Sequence, residues 1–170
     1  KTLRATQLLA ELEASFAPPG NRVFPQMPAD HLLDYLADQL TGQYSPLPAN
    51  IDQRVRRIEK FLRTNAEAEQ HALIAIDEAH LLAGNQSLEA IRLLMNFGRG
   101  GQSLATFLLA GQTVVALAVK RLPAVDERIA VTCVLNRLSD AETGLYIQHR
   151  LTAAGAKRTI FDASAVETIY

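Results

Sequence analysis

Apolar positions along this chain follow two alternating periods, and that alternation predicts its architecture. From Ala72 to Ile76 the side chains are continuously apolar, and the run stops abruptly at two adjacent carboxylates, Asp77 and Glu78. So short a run, carrying isoleucines, predicts a buried strand of a parallel sheet. Two similar runs, Leu104 to Ala110 and Ile129 to Leu135, predict further strands, the first ending in Gly111-Gln112-Thr113. Elsewhere the spacing is helical. Ala5, Leu8, Leu9, Leu12 and Phe16 form a stripe stopped by Pro18-Pro19-Gly20, and Arg22-Val23-Phe24 is a brief strand candidate. Leu32, Leu33, Leu36 and Leu40 trace a second helix that Gly42 closes. After a proline-containing loop, Ile51, Val55, Ile58 and Leu62 trace a third. Ser87 is expected to cap a helix through Leu88, Ile91, Leu94 and Met95, with Gly98, Gly100 and Gly101 ending it in a turn. Thr113 to Arg121 predicts a helix broken at Pro123. Ser139-x-x-Glu142 is a capping box opening a helix with Ile147, Leu151 and Ala154 on one face, and Asp162 begins one more.

Strands alternating with helices argue a three-layer α/β fold with a mostly parallel sheet. The 170 residues and 48% apolar content suit one domain with one core. A net charge of −1 supplies no global attraction to nucleic acid or an acidic membrane surface. The third helix does carry Arg54, Arg56, Arg57, Lys60 and Arg63, which we read as a solvated face balanced by the Glu-rich segment from Glu59 to Glu69. The single cysteine, Cys133, has no internal disulfide partner and is expected to pack as a small hydrophobe, which fits a reducing, cytoplasmic compartment. No apolar run approaches the roughly 20 residues that span a bilayer. The opening Lys1-Thr2-Leu3-Arg4 has no initiator methionine, and the chain is expected to be a fragment truncated at both ends.

Ligands of parallel sheets bind at the carboxyl ends of the strands. There an Asp can hold Mg²⁺ while a neighbouring Glu orients or deprotonates water, the Walker B arrangement of P-loop NTPases. The competing reading of Asp77-Glu78 is an acidic turn that happens to end a buried strand. His80 lies beside the pair, but no other His or Cys stands at ligand spacing, so a loop histidine is expected. His31, His71 and His149 are isolated and read as structural or solvated.

Several stretches together resemble AAA+ ATPases, and within them the ExeA-type ATPases of the general secretion pathway. They are Leu73 to Leu81, Arg92 to Phe97, Leu108-Leu109-Ala110-Gly111-Gln112, Glu127-Arg128-Ile129, Leu138 to Thr143, and Tyr146 to Leu151. Transposon-associated ATPases of the TniB kind look similar over the same region. The resemblance implies ATP and Mg²⁺ as cofactors, a homo-oligomer, and a protein partner. It implies that Asp77 helps hold Mg²⁺, that Glu78 polarises the attacking water, and that Gln112 is the sensor 1 residue. Arg128 falls at the arginine-finger position, with Arg121 as its rival. Lys1 and Thr2 would be the last residues of a Walker A loop, Lys1 on the β/γ phosphates and Thr2 on Mg²⁺. Residues 137–170 would begin a helical lid.

The sequence also departs from that pattern. Thr113-Val114 follows Gly111-Gln112 where the family usually has Pro and an acidic residue, and Asp126-Glu127 replaces a more basic lead into Arg128. The glycines of the phosphate loop and the strand before it are not in the sequence, so the chain on its own is expected to bind nucleotide poorly. Two other functions compete. Asp77-Glu78-Ala79-His80 spells motif II of DEAH helicases, although no Ser-Ala-Thr motif follows the next strand. A nucleotide-dependent adaptor with little turnover is the third.

Overall fold

The computed structural model describes residues 28–44, 50–84 and 86–169. The expected first helix, the Arg22-Val23-Phe24 strand and Lys1-Thr2 lie outside the described residues. Helix α1 runs Ala29–Thr41 and α2 runs Ile51–Glu67. Strand β1 is Ala72–Ile76, followed by a 3-10 turn at Ala79–Gly84 and helix α3 at Ser87–Leu94. A small hairpin of β2, Gly98–Arg99, and β3, Gln102–Ser103, leads into β4, Ala105–Leu109. Helices α4, Val114–Lys120, and α5, Pro123–Asp126, follow. The chain divides into two compact units between Val131 and Thr132. The second holds α6, Asp140–Ala153, and α7, Ala163–Ile169.

The sheet that matters for function is β1 paired in parallel with β4, with Ile74 opposite Phe107 and Ile76 opposite Leu109. Strand period 2 puts Ala72, Ile74 and Ile76 on one face, and these pack into a core with Leu32, Leu36, Ile58, Leu62, Leu88 and Ile91. Every residue of β1 is buried, whereas β4 is buried at Ala105, exposed at Thr106 and partly buried from Phe107 to Leu109. Each fully buried Leu or Ile contributes roughly 1.5–3 kcal/mol relative to exposure, so this cluster anchors the carboxyl end of β1.

Helix ends follow local chemistry. Gly42, at φ 64°, closes α1 in the left-handed conformation that a residue without Cβ adopts freely. Asn50 opens α2 with a capping box not anticipated above: its Oδ1 accepts the Gln53 N–H at 2.8 Å, and Gln53 Oε1 accepts the Asn50 N–H at 3.2 Å. The Ser139–Glu142 box at α6 forms as expected. Ser87 departs from expectation. Gln86 stands at the cap of α3 without a side-chain cap bond, and Ser87 is the first helical residue, fully buried. Gly100 and Gly101, at φ 59° and 82°, form the two-residue turn between β2 and β3 that needs two positive φ angles. The glycine-rich stretch thus builds a hairpin rather than only ending a helix.

Arg56, Lys60 and Arg63 on the basic face of α2 are exposed, as the solvated reading expects, but Arg54 and Arg57 depart from it. Arg54, with its side chain 10% exposed, donates from Nε to Asp34 Oδ1 at 2.7 Å and lies 3.7 Å from Asp30. Arg57 donates to Asp38 Oδ1 at 2.8 Å and to the Gln43 carbonyl at 2.8 Å. Aspartates spaced at helical period along α1 therefore clamp α2 against it, and Arg63 is paired with Glu59. Arg54→Ala is expected to lower unfolding stability by roughly 1–3 kcal/mol, less than a fully buried pair because both aspartates are part-exposed. A urea midpoint equal to wild type would contradict the clamp.

The third expected strand is absent. Residues 129–139 have no regular structure, and Val131, Val134 and Leu135 are 83%, 65% and 52% exposed. Apolar, β-branched composition makes a segment suited to a strand, but a strand exists only where a neighbour takes up its backbone N–H and C=O groups. Among the described residues no strand pairs with this run. Cys133, within it, is exposed rather than packed.

In the second unit, Asp162 Oδ1 accepts the Ala165 N–H at 2.8 Å, which caps α7. α6 and α7 approach each other at Gly144, where an added Cβ would stand 3.6 Å from Val166 Cγ1. No residue of α6 is buried.

Candidate active site

Asp77 and Glu78 follow directly on buried β1, so the core fixes where these carboxylates begin. Asp77 Oδ1 accepts the Glu78 N–H at 2.9 Å, and the Glu78 carbonyl accepts the Leu81 N–H at 2.9 Å, which starts the 3-10 turn. Between these bonds Glu78 is forced to φ 52°. For a residue with a Cβ that conformation costs roughly 1–2 kcal/mol. The strain turns the chain sharply off the strand and leaves the Glu78 side chain 51% exposed at the sheet edge.

The carboxyl end of β4 is bonded to this turn. The Ala110 N–H donates to the Ile76 carbonyl at 2.9 Å, and the Ala79 N–H donates to the Ala110 carbonyl at 2.8 Å. The parallel ladder therefore continues past both strands. Gly111 comes next, and a Cβ there would lie 2.9 Å from the His80 backbone N and 3.1 Å from that of Ala79. Only glycine fits so close a backbone approach. Gln112 follows at the same edge, exposed, with its carbonyl accepting the Val115 N–H at 3.0 Å to begin α4. α4 packs on the 3-10 turn.

His80, expected as a loop histidine, stands on the 3-10 turn. Its side chain is 15% exposed, and Nδ1 lies 3.3 Å from Glu78 Oε2. Nδ1 is buried without a well-aligned hydrogen bond. The available signal was its place two residues after Glu78, on a turn tight enough to fold a side chain back. His71, expected to be isolated, instead joins the strand starts through a 2.9 Å hydrogen bond to Thr106 Oγ1.

Arg128 is bonded to a different set of residues. Its guanidinium donates to the Ala124 carbonyl and to Asn96 Oδ1, both at 2.6 Å, which ties the end of α5 to the residues after α3. Nearby, Arg92 bonds Glu89 and holds that carboxyl below its ordinary pKa, with a smaller electrostatic contribution from Arg128. Arg121, at the end of α4, is exposed. The structure thus brings Asp77, Glu78, Gly111 and Gln112 to one sheet edge, while Arg128 is bonded to Asn96 and the Ala124 carbonyl.

The donor set at that edge suits a hard divalent cation shared with phosphate oxygens. Mg²⁺ is usually held by one or two carboxylates plus substrate phosphates rather than by an all-protein cage. Among the described residues no three His, Cys, Asp or Glu side chains cluster to form such a cage. No helix among them is long and apolar enough to cross a membrane.

Comparison with known proteins gives the family of the chain. The chain is 28% identical over 149 residues to General secretion pathway protein A of Aeromonas hydrophila, an alignment covering 86% of this chain and 27% of that protein. The chain therefore spans about a quarter of that relative's length. No solved structure matches it. A family profile described as an AAA domain matches residues 1–117, well over half of the chain, and includes β1, the Asp77-Glu78 turn, β4 and Gln112. The chain belongs to the AAA domain family, with the α/β architecture and parallel strand pair that its sequence predicts.

Proposed function

We propose that this chain supplies the hydrolytic half of an ATP-binding module whose nucleotide state acts on a protein partner, in a setting like general secretion. The observation that carries the reading is the strained Asp77-Glu78 turn, bonded to the end of β4 at the carboxyl edge of parallel strands. Asp77 would be a Mg²⁺ ligand, joined by Thr2, while Lys1 neutralises charge on the β/γ phosphates. Glu78 would orient water and accept its proton, and Gln112 would contact the γ-phosphate or that water. When bound, Mg²⁺ supplies charge neutralisation between the phosphates.

Arg128 remains our candidate for a finger reaching a neighbouring copy in a homo-oligomer, although its bonds to Asn96 and Ala124 must break first. Arg121 needs no such release. Residues 137–170 would be the start of a helical lid. The nucleic-acid alternative is weakened because Arg54, Arg57 and Arg63 are committed to carboxylates within the fold. Mg²⁺-dependent phosphate release from ATP, by protein carrying a glycine-rich loop ahead of Lys1, tests the proposal.

A further inference from the structure

We propose that His80 is a positioning residue for Glu78, its Nδ1–H holding the carboxylate in the orientation from which it acts on water. The inference rests on the hydrolytic reading of Glu78 given above. Glu78 Oε2 lies 3.3 Å from His80 Nδ1, and the Glu78 side chain is otherwise half in solvent. A long carboxylate so exposed samples several rotamers, and general-base catalysis requires one of them. Nδ1 is itself buried and has no well-aligned hydrogen-bond partner, so it gains most when Glu78 turns toward it.

His80 also lies close to the end of β4. Its backbone N is the atom that a Cβ on Gly111 would strike at 2.9 Å, and its Nδ1 lies 3.5 Å from that same Cβ position. Nδ1 is therefore near both the carboxylate and the end of β4. Neither the Asp77 contacts nor the core needs a polar atom at this place, which a purely space-filling role would leave apolar. The orientation of Glu78 is thereby coupled to the strand end that carries Gln112.

The test uses ATP and Mg²⁺ with the phosphate-loop-bearing protein. His80→Ala is expected to lower kcat on the order of 10- to 100-fold with KM for ATP little changed. His80→Asn, whose amide nitrogen reaches the place of Nδ1, is expected to recover most of the loss. His80→Gln, whose amide reaches toward Nε2, is not. Equal losses in all three variants, or an unchanged kcat in His80→Ala while Glu78→Gln is inactive, would overturn the positioning role and leave the hydrolytic reading standing. Full turnover in Glu78→Gln would instead remove that reading. Should the variants fail to fold, ¹⁵N NMR of the wild-type imidazole decides. A proton on Nδ1 is the expected result, and a neutral ring with bare Nδ1 overturns the inference.

Discussion

Glu78→Gln is expected to bind ATP with nearly unchanged affinity and to lose turnover by roughly 10²–10⁴-fold, the usual contribution of a positioned general base. The substitution keeps the side chain's length and shape, so the left-handed turn at Glu78 and the bond from its N–H to Asp77 survive. What it removes is the basic oxygen. Because Asp77, rather than Glu78, is the proposed Mg²⁺ ligand, the loss should fall on kcat and leave ground-state binding alone. Equilibrium binding of a fluorescent ATP analogue, set beside steady-state phosphate release, separates the two. Equal turnover in the variant would return Glu78 to the status of an exposed acid ending a buried strand. A loss of binding as large as the loss of turnover would mean that Glu78 holds the cation or the fold.

The second large effect is expected at Gly111. Even Gly111→Ala sets a methyl group 2.9 Å from the His80 N and 3.1 Å from the Ala79 N, and both obstacles are backbone. Neither swings aside as a side chain would. Ala79 N is engaged with the Ala110 carbonyl at 2.8 Å, so relief requires breaking the bond that joins the two strand ends. Overpacking of this kind costs roughly 1–3 kcal/mol. We expect a lowered urea midpoint together with lost turnover, since the displaced turn carries Asp77, Glu78 and His80. Gly144→Ala provides the contrast, because the nearest atom to its added Cβ is 3.6 Å away, an ordinary van der Waals distance. A Gly111→Ala protein as stable and active as wild type would show that the strand ends are not in close contact.

Much of this architecture was legible before any coordinates. The Ala72–Ile76 run, ending in two carboxylates, specified a buried parallel strand because apolar residues on both faces leave few other solutions. The Ser139–Glu142 box and Gly42 marked helix ends through chemistry that acts within one turn of chain. Where sequence reasoning failed, the deciding partner was distant. Ile129 to Leu135 has the composition of a strand and pairs with nothing among the described residues. Arg54 and Arg57 of α2 read as solvated because their aspartate partners lie about 20 positions back along the chain, on α1. At the site, Asp77, Glu78 and Gln112 were named from their position at strand ends. The surroundings of His80 and Gly111 are not legible in the sequence, because a 3.3 Å approach of Nδ1 to the Glu78 carboxylate and a close backbone approach are encoded by no linear spacing. Arg128 was placed by motif, and its bonds to Asn96 and Ala124 belong to tertiary packing.

The central claim is that the carboxyl edge of β1 and β4 works on a Mg²⁺-bound nucleotide. The most direct measurement is single-turnover phosphate release from ATP, with Mg²⁺ present and with it chelated, by wild-type protein carrying a glycine-rich loop ahead of Lys1. Release is expected with Mg²⁺ and essentially none without it. ATP bound tightly yet never cleaved with Mg²⁺ present would contradict it and favour an adaptor, and cleavage at the same rate after chelation would remove Asp77 from its assigned role.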